Sequence, residues 1–327
     1  MGRDLNLATT EPEDNLARTP RLNVMLTGGL GDCLLASAFI RQFHEQGAYS
    51  EIVCALPRPA VELYDRNPHV TRVVPCDGKE LFLWGLPEEG ADVFAPYAEV
   101  LPSKSFVENG DICLHVNRRI IDLNLGTEPV WQQVAAFHRI SMADGRPEIF
   151  FSTEDEEWAE GQVRAFDGKR VLINYQSPLP EKHYPLGAWQ AVVDGLKPET
   201  AVLEFVADGS MLRGTERITP MPGPRRSAAL VKKCDCVLTI DSFAGHLAAA
   251  VGTPAVVLFG PTNPLVWGHE DATRIRPSGC APCANTPRLG LCEARMCMRE
   301  IDPSTVIEAV LQKVREPRTR LTEAGHS

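Results

Sequence analysis

The sequence predicts an α/β protein made of two parallel-sheet domains, and three observations carry that expectation. Between Cys236 and Trp267 a buried-type strand, a small-residue helix and a second apolar strand follow one another within one short run, the pattern of a βαβ unit. Near the front, Leu22–Leu26 reads as a strand that ends in the glycine-rich turn Thr27–Gly31 and passes into a helix. The same strand and helix alternation runs through both halves of a 327-residue chain, long enough for two cores of ordinary size.

In order along the chain, residues 1–20 are polar and of mixed charge, a disordered arm. The first domain is expected over 21–155. Asp32 opens its first helix, whose apolar positions are Leu34, Leu35, Ala38, Phe39 and Phe43. Further strands are expected at 51–56, 72–75 and 111–116. The acidic run from Thr153 to Trp158 reads as a helix close to the domain junction. The second domain, 165–302, begins with the strand 170–174 and continues with 201–206, 236–240 and 255–259. Gly252 is placed to stop the helix between the last two. The terminal helix, 303–316, takes Asp302 as cap and Pro303 in its first turn, with Val306, Ile307, Val310, Leu311 and Val314 as one stripe. A flexible tail, 317–327, follows.

Ligands of parallel sheets bind at the carboxyl ends of strands, which puts Asp241, Ser242, His246, Gly260 and Thr262 in one crevice. The open N–H groups of a helix start attract an anion, most often a phosphate. A carboxylate facing that anion would repel it, so Asp241 is expected to cap the helix or to accept from a hydroxyl. Ordinary helix capping explains Asp241-Ser242 equally well, and a lone helix histidine is more often structural than a ligand contact. In the front motif Leu34 replaces the third glycine of a dinucleotide fingerprint, and Asp32 sets a negative charge where pyrophosphate would rest. That arrangement suits a general base; its bland alternative is an N-cap.

Together, Gly29-Leu30-Gly31-Asp32, Asp241-Ser242-Phe243-Ala244-Gly245-His246, Gly252-Thr253-Pro254, Phe259-Gly260-Pro261-Thr262 and Trp267-Gly268 resemble glycosyltransferase family 9, the heptosyltransferase family. Asn174 to Trp189 resembles that family's strand-end loop, with its Lys-x-[Trp/Tyr]-Pro element at Lys182-His183-Tyr184-Pro185. The resemblance spans about residues 21–315 and implies the GT-B fold, two Rossmann-like domains facing a central cleft. It also implies inverting transfer from a nucleotide sugar, ADP-heptose, to a lipopolysaccharide core, glycan or protein hydroxyl. Asp32 would take the acceptor proton. Lys182 and the 242–246 helix start would offset charge on the departing diphosphate, without a catalytic metal. Gly31, Asn174, Gln176, Asp208, Asp241, Ser242, Phe243, Ala244, Gly245, His246, Gly260 and Thr262 would hold the donor. Phe243 stands where the family commonly has glycine, Asp208 is the acidic residue of a shortened ribose-side segment, and the terminal helix would cross back to the first domain. Two other classes fit the same residues: a nucleotide-sugar epimerase of similar fold, and a non-enzymatic metal-binding assembly module.

Ten cysteines are many for a reducing compartment, and four cluster as Cys280-x2-Cys283-x8-Cys292-x4-Cys297. Four thiolates form a ligand set for structural zinc or iron, and a subgroup of the resembled family binds iron through a similar pattern; four free thiols are the alternative. Loss of such a metal is expected to leave the diphosphate site largely formed. Cys33, Cys54, Cys76, Cys113, Cys234 and Cys236 sit in or beside apolar runs and are expected in the core.

A net charge of −10 argues against a nucleic-acid binder. The first twenty residues lack the pattern of a signal peptide and no apolar run reaches membrane-spanning length, so a cytoplasmic protein is expected, with membrane-surface contact and oligomerisation open. Residues 21–150 hold 11 basic against 17 acidic side chains, which is awkward for an anionic acceptor. Arg58, Arg118 and Arg119 are the candidates for a local basic group.

Overall fold

The computed structural model describes residues 21–26, 28–76, 91–94 (backbone only), 124–205, 209, 211–219, 221–279, 282–284, 286–292 and 296–317. Two parallel sheets organise them. The first contains β1 (Arg21–Met25), β2 (Glu51–Pro57), β3 (Arg72–Cys76) and β4 (Ala91–Phe94) in the order β3-β2-β1-β4. The second contains β5 (Lys169–Asn174), β6 (Thr200–Phe205), β7 (Glu216–Ile218), β8 (Cys236–Ile240), β9 (Ala255–Leu258) and β10 (Thr273–Ile275) in the order β10-β9-β8-β5-β6-β7. In each sheet the strand order reverses beside its first strand, at β1/β4 and at β5/β8. Such switch points leave a crevice at the strand ends. The β5–β8 register pairs Asn174 with Thr239, so Asp241 lies just past the end of β8, beside Asn174.

The first helical run is split into α1 (Leu30–Leu35) and α2 (Ser37–Glu45). Ser37 explains the break, since its buried hydroxyl donates to the Leu34 carbonyl at 2.7 Å and accepts from the Glu148 N–H at 2.8 Å. The helix α3 (Val130–His138) follows in the first half. The acidic helix α4 (Thr153–Val163) starts with a reciprocal Ser152–Asp155 cap and packs on α6 (Pro224–Lys233) of the second half. Glu154, Glu156 and Glu160 meet Arg226, Lys232 and Lys233 at 2.9, 3.1 and 3.0 Å, so its acidic face answers the basic face of α6. The remaining long helices are α5 (Leu186–Leu196), α7 (Phe243–Val251) and α8 (Pro303–Arg315). Gly252 ends α7 at φ 69°, the left-handed geometry expected of a glycine stop.

One continuous apolar core joins the two halves, running from Leu22, Val24 and Phe39 to Leu230, Ala244 and Leu247, and α1 packs directly on α7. The other face of the second sheet has its own core, containing Val171, Ile173, Trp189 and Val193. Here α8 departs from expectation: rather than crossing to the first domain, it seats Val306, Val310 and Val314 on β8, β9 and α5. Its Ile307 fits against Gly195, and Arg315 pairs with Glu199 at 2.6 Å. That face of the second sheet needs a cover, and the valine stripe matches it. Cys33, Cys54, Cys76, Cys234 and Cys236 are buried as expected. The 111–116 strand, Cys113, Arg118 and Arg119 lie outside the described residues.

Candidate functional site

The site forms where the β5 and β8 ends meet the start of α7. Asn174, last in β5, donates from Nδ2 to the Ser242 hydroxyl at 3.2 Å, while its Oδ1 lies 3.4 Å from the Gln176 N–H. Ser242 also shares a hydrogen bond with Thr239 at 2.9 Å. Ser242 is therefore the N-cap residue of α7 by backbone position but not by side chain, and no side chain among the described residues caps the first turn. The expected capping role thus fails for Ser242 and Asp241 alike. The helix start, Phe243-Ala244-Gly245-His246, keeps its positive end uncapped by side chains.

Asp241 turns to Lys182 instead. The ammonium donates to Oδ2 at 2.8 Å and to the Asp241 carbonyl at 3.2 Å, and both side chains are largely buried. Burial pushes the Asp241 carboxyl up, but Lys182, His246 and the nearby Thr262 hydroxyl outweigh it and hold the group below the ordinary carboxylate range. Thr262 is buried and its hydroxyl makes no hydrogen bond of ordinary geometry. Pro180–Lys182 forms one 3₁₀ turn that delivers the lysine, and the Tyr184 hydroxyl anchors the following residues to the Ile301 carbonyl at 2.8 Å.

The front motif faces this site. A Cβ on Gly31 would lie 3.0 Å from Cδ2 of His246, so a larger residue would press the two domains apart. Asp32 is not the residue that opens α1. Gly29 is the N-cap, and Asp32, three residues on, accepts the Gly29 N–H at 3.0 Å. Its neighbour Cys33 is inert, its thiol raised by burial and then by the Asp32 charge to about 12. Gly260, expected in the crevice, turns its Cα toward Met298 and Cys297, so a Cβ there would collide with the Met298 sulfur. Phe243 packs partly buried on the shared core. Asp208 and Cys280 lie outside the described residues.

Sequence reasoning missed two features. His269 places Nε2 at 2.9 Å from Nδ1 of His246. Asn124, fully buried, accepts from Asn263 N–H and Trp267 Nε1, each at 3.1 Å, and donates to the Ala284 carbonyl at 3.1 Å. It plugs the first half into the loop after β9. Trp267-Gly268 belongs to the motif segments, but the partner of the following His269 is set by tertiary packing alone.

Three of the clustered cysteines, Cys283, Cys292 and Cys297, line one cavity of about 120 Å³ with Glu181, Pro261 and Leu289. Their thiol chemistry suits zinc or iron, although no group of three His, Cys, Asp or Glu converges on a metal position among the described residues. This segment is tied to the loop after β9, because the Cys283 and Ala284 N–H groups donate to the Pro261 carbonyl at 2.8 and 2.9 Å. No helix among the described residues is long and apolar enough to cross a membrane.

A sequence profile for glycosyltransferase family 9 (heptosyltransferase) matches residues 225–288, from α6 past His269. Lipopolysaccharide heptosyltransferase 1 of Pseudomonas aeruginosa is 28% identical over 116 residues, 32% of this chain and 32% of its own. Lipopolysaccharide core heptosyltransferase OpsX of Haemophilus influenzae is 26% identical over 166 residues, 46% of this chain and 48% of its own. The chain thus spans about a third to a half of these relatives. Among solved structures, a family 9 glycosyltransferase from Veillonella parvula superposes with a TM-score of 0.71 at 17% identity, over 91% of this chain and 98% of its own. The iron-containing dodecameric glycosyltransferase TibC of enterotoxigenic E. coli gives 0.64 at 16%, over 90% and 76%. TibC in complex with ADP-D-β-D-heptose gives 0.63 at 17%, over 91% and 76%. The structural likenesses establish the GT-B fold, and the sequence match to glycosyltransferase family 9 is confined to residues 225–288.

Proposed function

We propose that this protein is an inverting glycosyltransferase that moves heptose from ADP-heptose to a hydroxyl of a lipopolysaccharide core. The observation that carries the reading is the buried Lys182–Asp241 pair beside the uncapped start of α7, set directly against the Gly31–Asp32 corner. The names of both sequence relatives, and the ADP-D-β-D-heptose bound to TibC, support the choice of donor and acceptor class.

In this reading the diphosphate rests on the backbone N–H groups at 243–246, while Asn174, Gln176, Ser242 and Thr262 shape the surrounding surface, with Asp208 on the ribose side. Asp241 does not touch the phosphate. It holds Lys182 in place and charged, close to the helix start. The acceptor hydroxyl attacks the anomeric carbon from the face opposite the diphosphate. The C–O bond to the diphosphate breaks with its electron pair on that oxygen, and Asp32 takes the hydroxyl proton. Lys182 and the helix start stabilise the charge that develops on the departing ADP. The enzyme would act in the cytoplasm. The 280–297 segment would hold a structural zinc or iron through Cys280, Cys283, Cys292 and Cys297, supplying stability and no chemical step; TibC, which is iron-containing and dodecameric, supports both this and an oligomer.

The test is ADP-heptose turnover with and without acceptor. Release of ADP only when a heptose-free lipopolysaccharide core is present supports the proposal. Release of ADP and free sugar without acceptor would indicate the epimerase-type reading, and transfer to a protein or other glycan would move the acceptor class. No turnover with any of them would leave an assembly module.

A further inference from the structure

Asp32 is carried by a helix of six residues, and the last carbonyls of any helix have no partner within it. At the break between α1 and α2 two of them take buried hydroxyls: the Cys33 carbonyl accepts from Tyr64 and the Leu34 carbonyl from Ser37. Ser37 belongs to the next turn of the same run. Tyr64 comes from 31 residues away, so it fixes where α1 lies as well as how it ends. The carbonyl that it holds is that of the residue after Asp32. In front, the Asp32 carboxylate accepts the Gly29 N–H at 3.0 Å, and a Cβ on Gly28 would collide with it. The half-buried carboxylate is thus gripped by the glycine turn on one side and, through the backbone, by Tyr64 on the other.

Tyr64 closes the 3₁₀ turn Arg58–Leu63, its N–H donating to the Val61 carbonyl at 3.0 Å, and that turn packs on both α1 and α6. Its contacts with the second domain are charged. Glu62 lies against Gly223, the N-cap of α6, where a Cβ would collide with the carboxylate, and Asp65 pairs with Arg225 in the first turn of that helix. An acidic side chain at a helix start is favourable. One stretch, 58–65, therefore meets the helix of Asp32 with a hydroxyl and the second domain with two carboxylates. We propose that Tyr64 is a positioning residue for the transfer: held by this stretch against α6, its hydroxyl sets α1 through the Cys33 carbonyl and so aims the Asp32 carboxylate at the acceptor proton. The role rests on the reading of Asp32 as the group that takes that proton. A displacement of about 1 Å at a reacting group is enough for a large loss of rate. The Lys182–Asp241 pair lies wholly in the second domain, so donor affinity is separable from this effect.

The test uses the full chain and compares Tyr64→Phe with the wild type, each with and without Asp32→Asn. Phenylalanine keeps the ring and deletes only the donor. The proposal expects kcat for heptose transfer to fall roughly tenfold, with KM for ADP-heptose and affinity for ADP kept within about twofold. In the Asp32→Asn background the same change should cost nothing further, because a group that acts through another loses its effect when the other is gone. An equal loss in both backgrounds would overturn the proposal, since a hydroxyl that serves only the fold acts whether or not the base is present. Should Tyr64→Phe fail to fold, Asp65→Asn at the exposed end of the stretch decides: a loss of roughly threefold is expected with Asp32 present and none without it. A loss in both backgrounds, or in neither, would overturn the proposal. Transfer by Tyr64→Phe equal to that of an active wild type would overturn this role and leave the transferase reading standing, whereas a wild type that transfers nothing would overturn both.

Discussion

Fifty-nine residues of chain separate Lys182 from Asp241, yet the two side chains meet at 2.8 Å and define the charge of the site. Replacing Lys182 by Ala leaves a buried carboxylate without its main partner, so affinity for ADP should fall by about tenfold or more and the Asp241 carboxyl should rise toward its ordinary range. Titration calorimetry with ADP checks this; unchanged affinity would remove Lys182 from the site. The histidine pair gives a pH dependence of defined sign. Both rings are depressed when folded, so below about pH 6.5 the unfolded chain binds protons that the folded protein refuses until about 4 and about 3. Stability should be fully present above about pH 6.5 and fall steadily as the pH drops toward 4. Melting temperatures across that window should decline less steeply in His269→Gln, which removes one of the two protons. Asp241, Lys182 and Asn174 were legible because each sits at a strand end or in a recognisable loop element. His269 was not, since nothing local marks a loop histidine whose partner lies 23 residues upstream on a helix.

At the scale of elements, the strands were easier to foresee than the ends of helices. The β8–α7–β9 unit appears where the alternation placed it, because β-branched runs bounded by Asp-Ser and Gly-Thr-Pro leave few alternatives. Capping was misread. Asp241 and Ser242 are good caps in isolation, but Lys182, Thr239 and Asn174 compete for their side chains and win. Terminal helix α8 shows the same limit, for its stripe was legible and the surface it covers was not. The cysteine segment is bound to the loop after β9 through the Pro261 carbonyl and the Gly260 contacts, so it is less independent of the proposed diphosphate site than its sequence position implies. If it holds a metal, purified protein should contain close to one equivalent of zinc or iron, and Cys297→Ser should lower metal content, melting temperature and ADP affinity together. Trace metal with four freely titratable native thiols would contradict this.

For the whole molecule, the two domains are fastened by more than apolar contact. Arg225 pairs with Asp65, Arg146 with Asp271, and the buried Asn124 side chain bonds to Asn263, Trp267 and Ala284 of the second half. Asn124→Ala should cost about 1–3 kcal/mol, because the Asn263 N–H and the Trp267 indole N–H lose their shared acceptor, and thermal denaturation reads that cost directly. The two-domain architecture was foreseeable from alternation and paired motifs, while this plug was not, since a lone Asn in a loop carries no periodic signal. The fastening keeps Gly31 of the first domain, next in sequence to Asp32, against His246 of the second, and sugar transfer is proposed across that boundary. Asp32→Asn tests it most directly, because asparagine retains an oxygen that can accept the Gly29 N–H and so preserves the cap while abolishing the base. Measured together, ADP-heptose affinity should stay nearly unchanged and transfer to a lipopolysaccharide-core acceptor should fall by about 10²- to 10⁴-fold. Near-normal turnover by Asp32→Asn would show that Asp32 only caps its helix and would contradict the account.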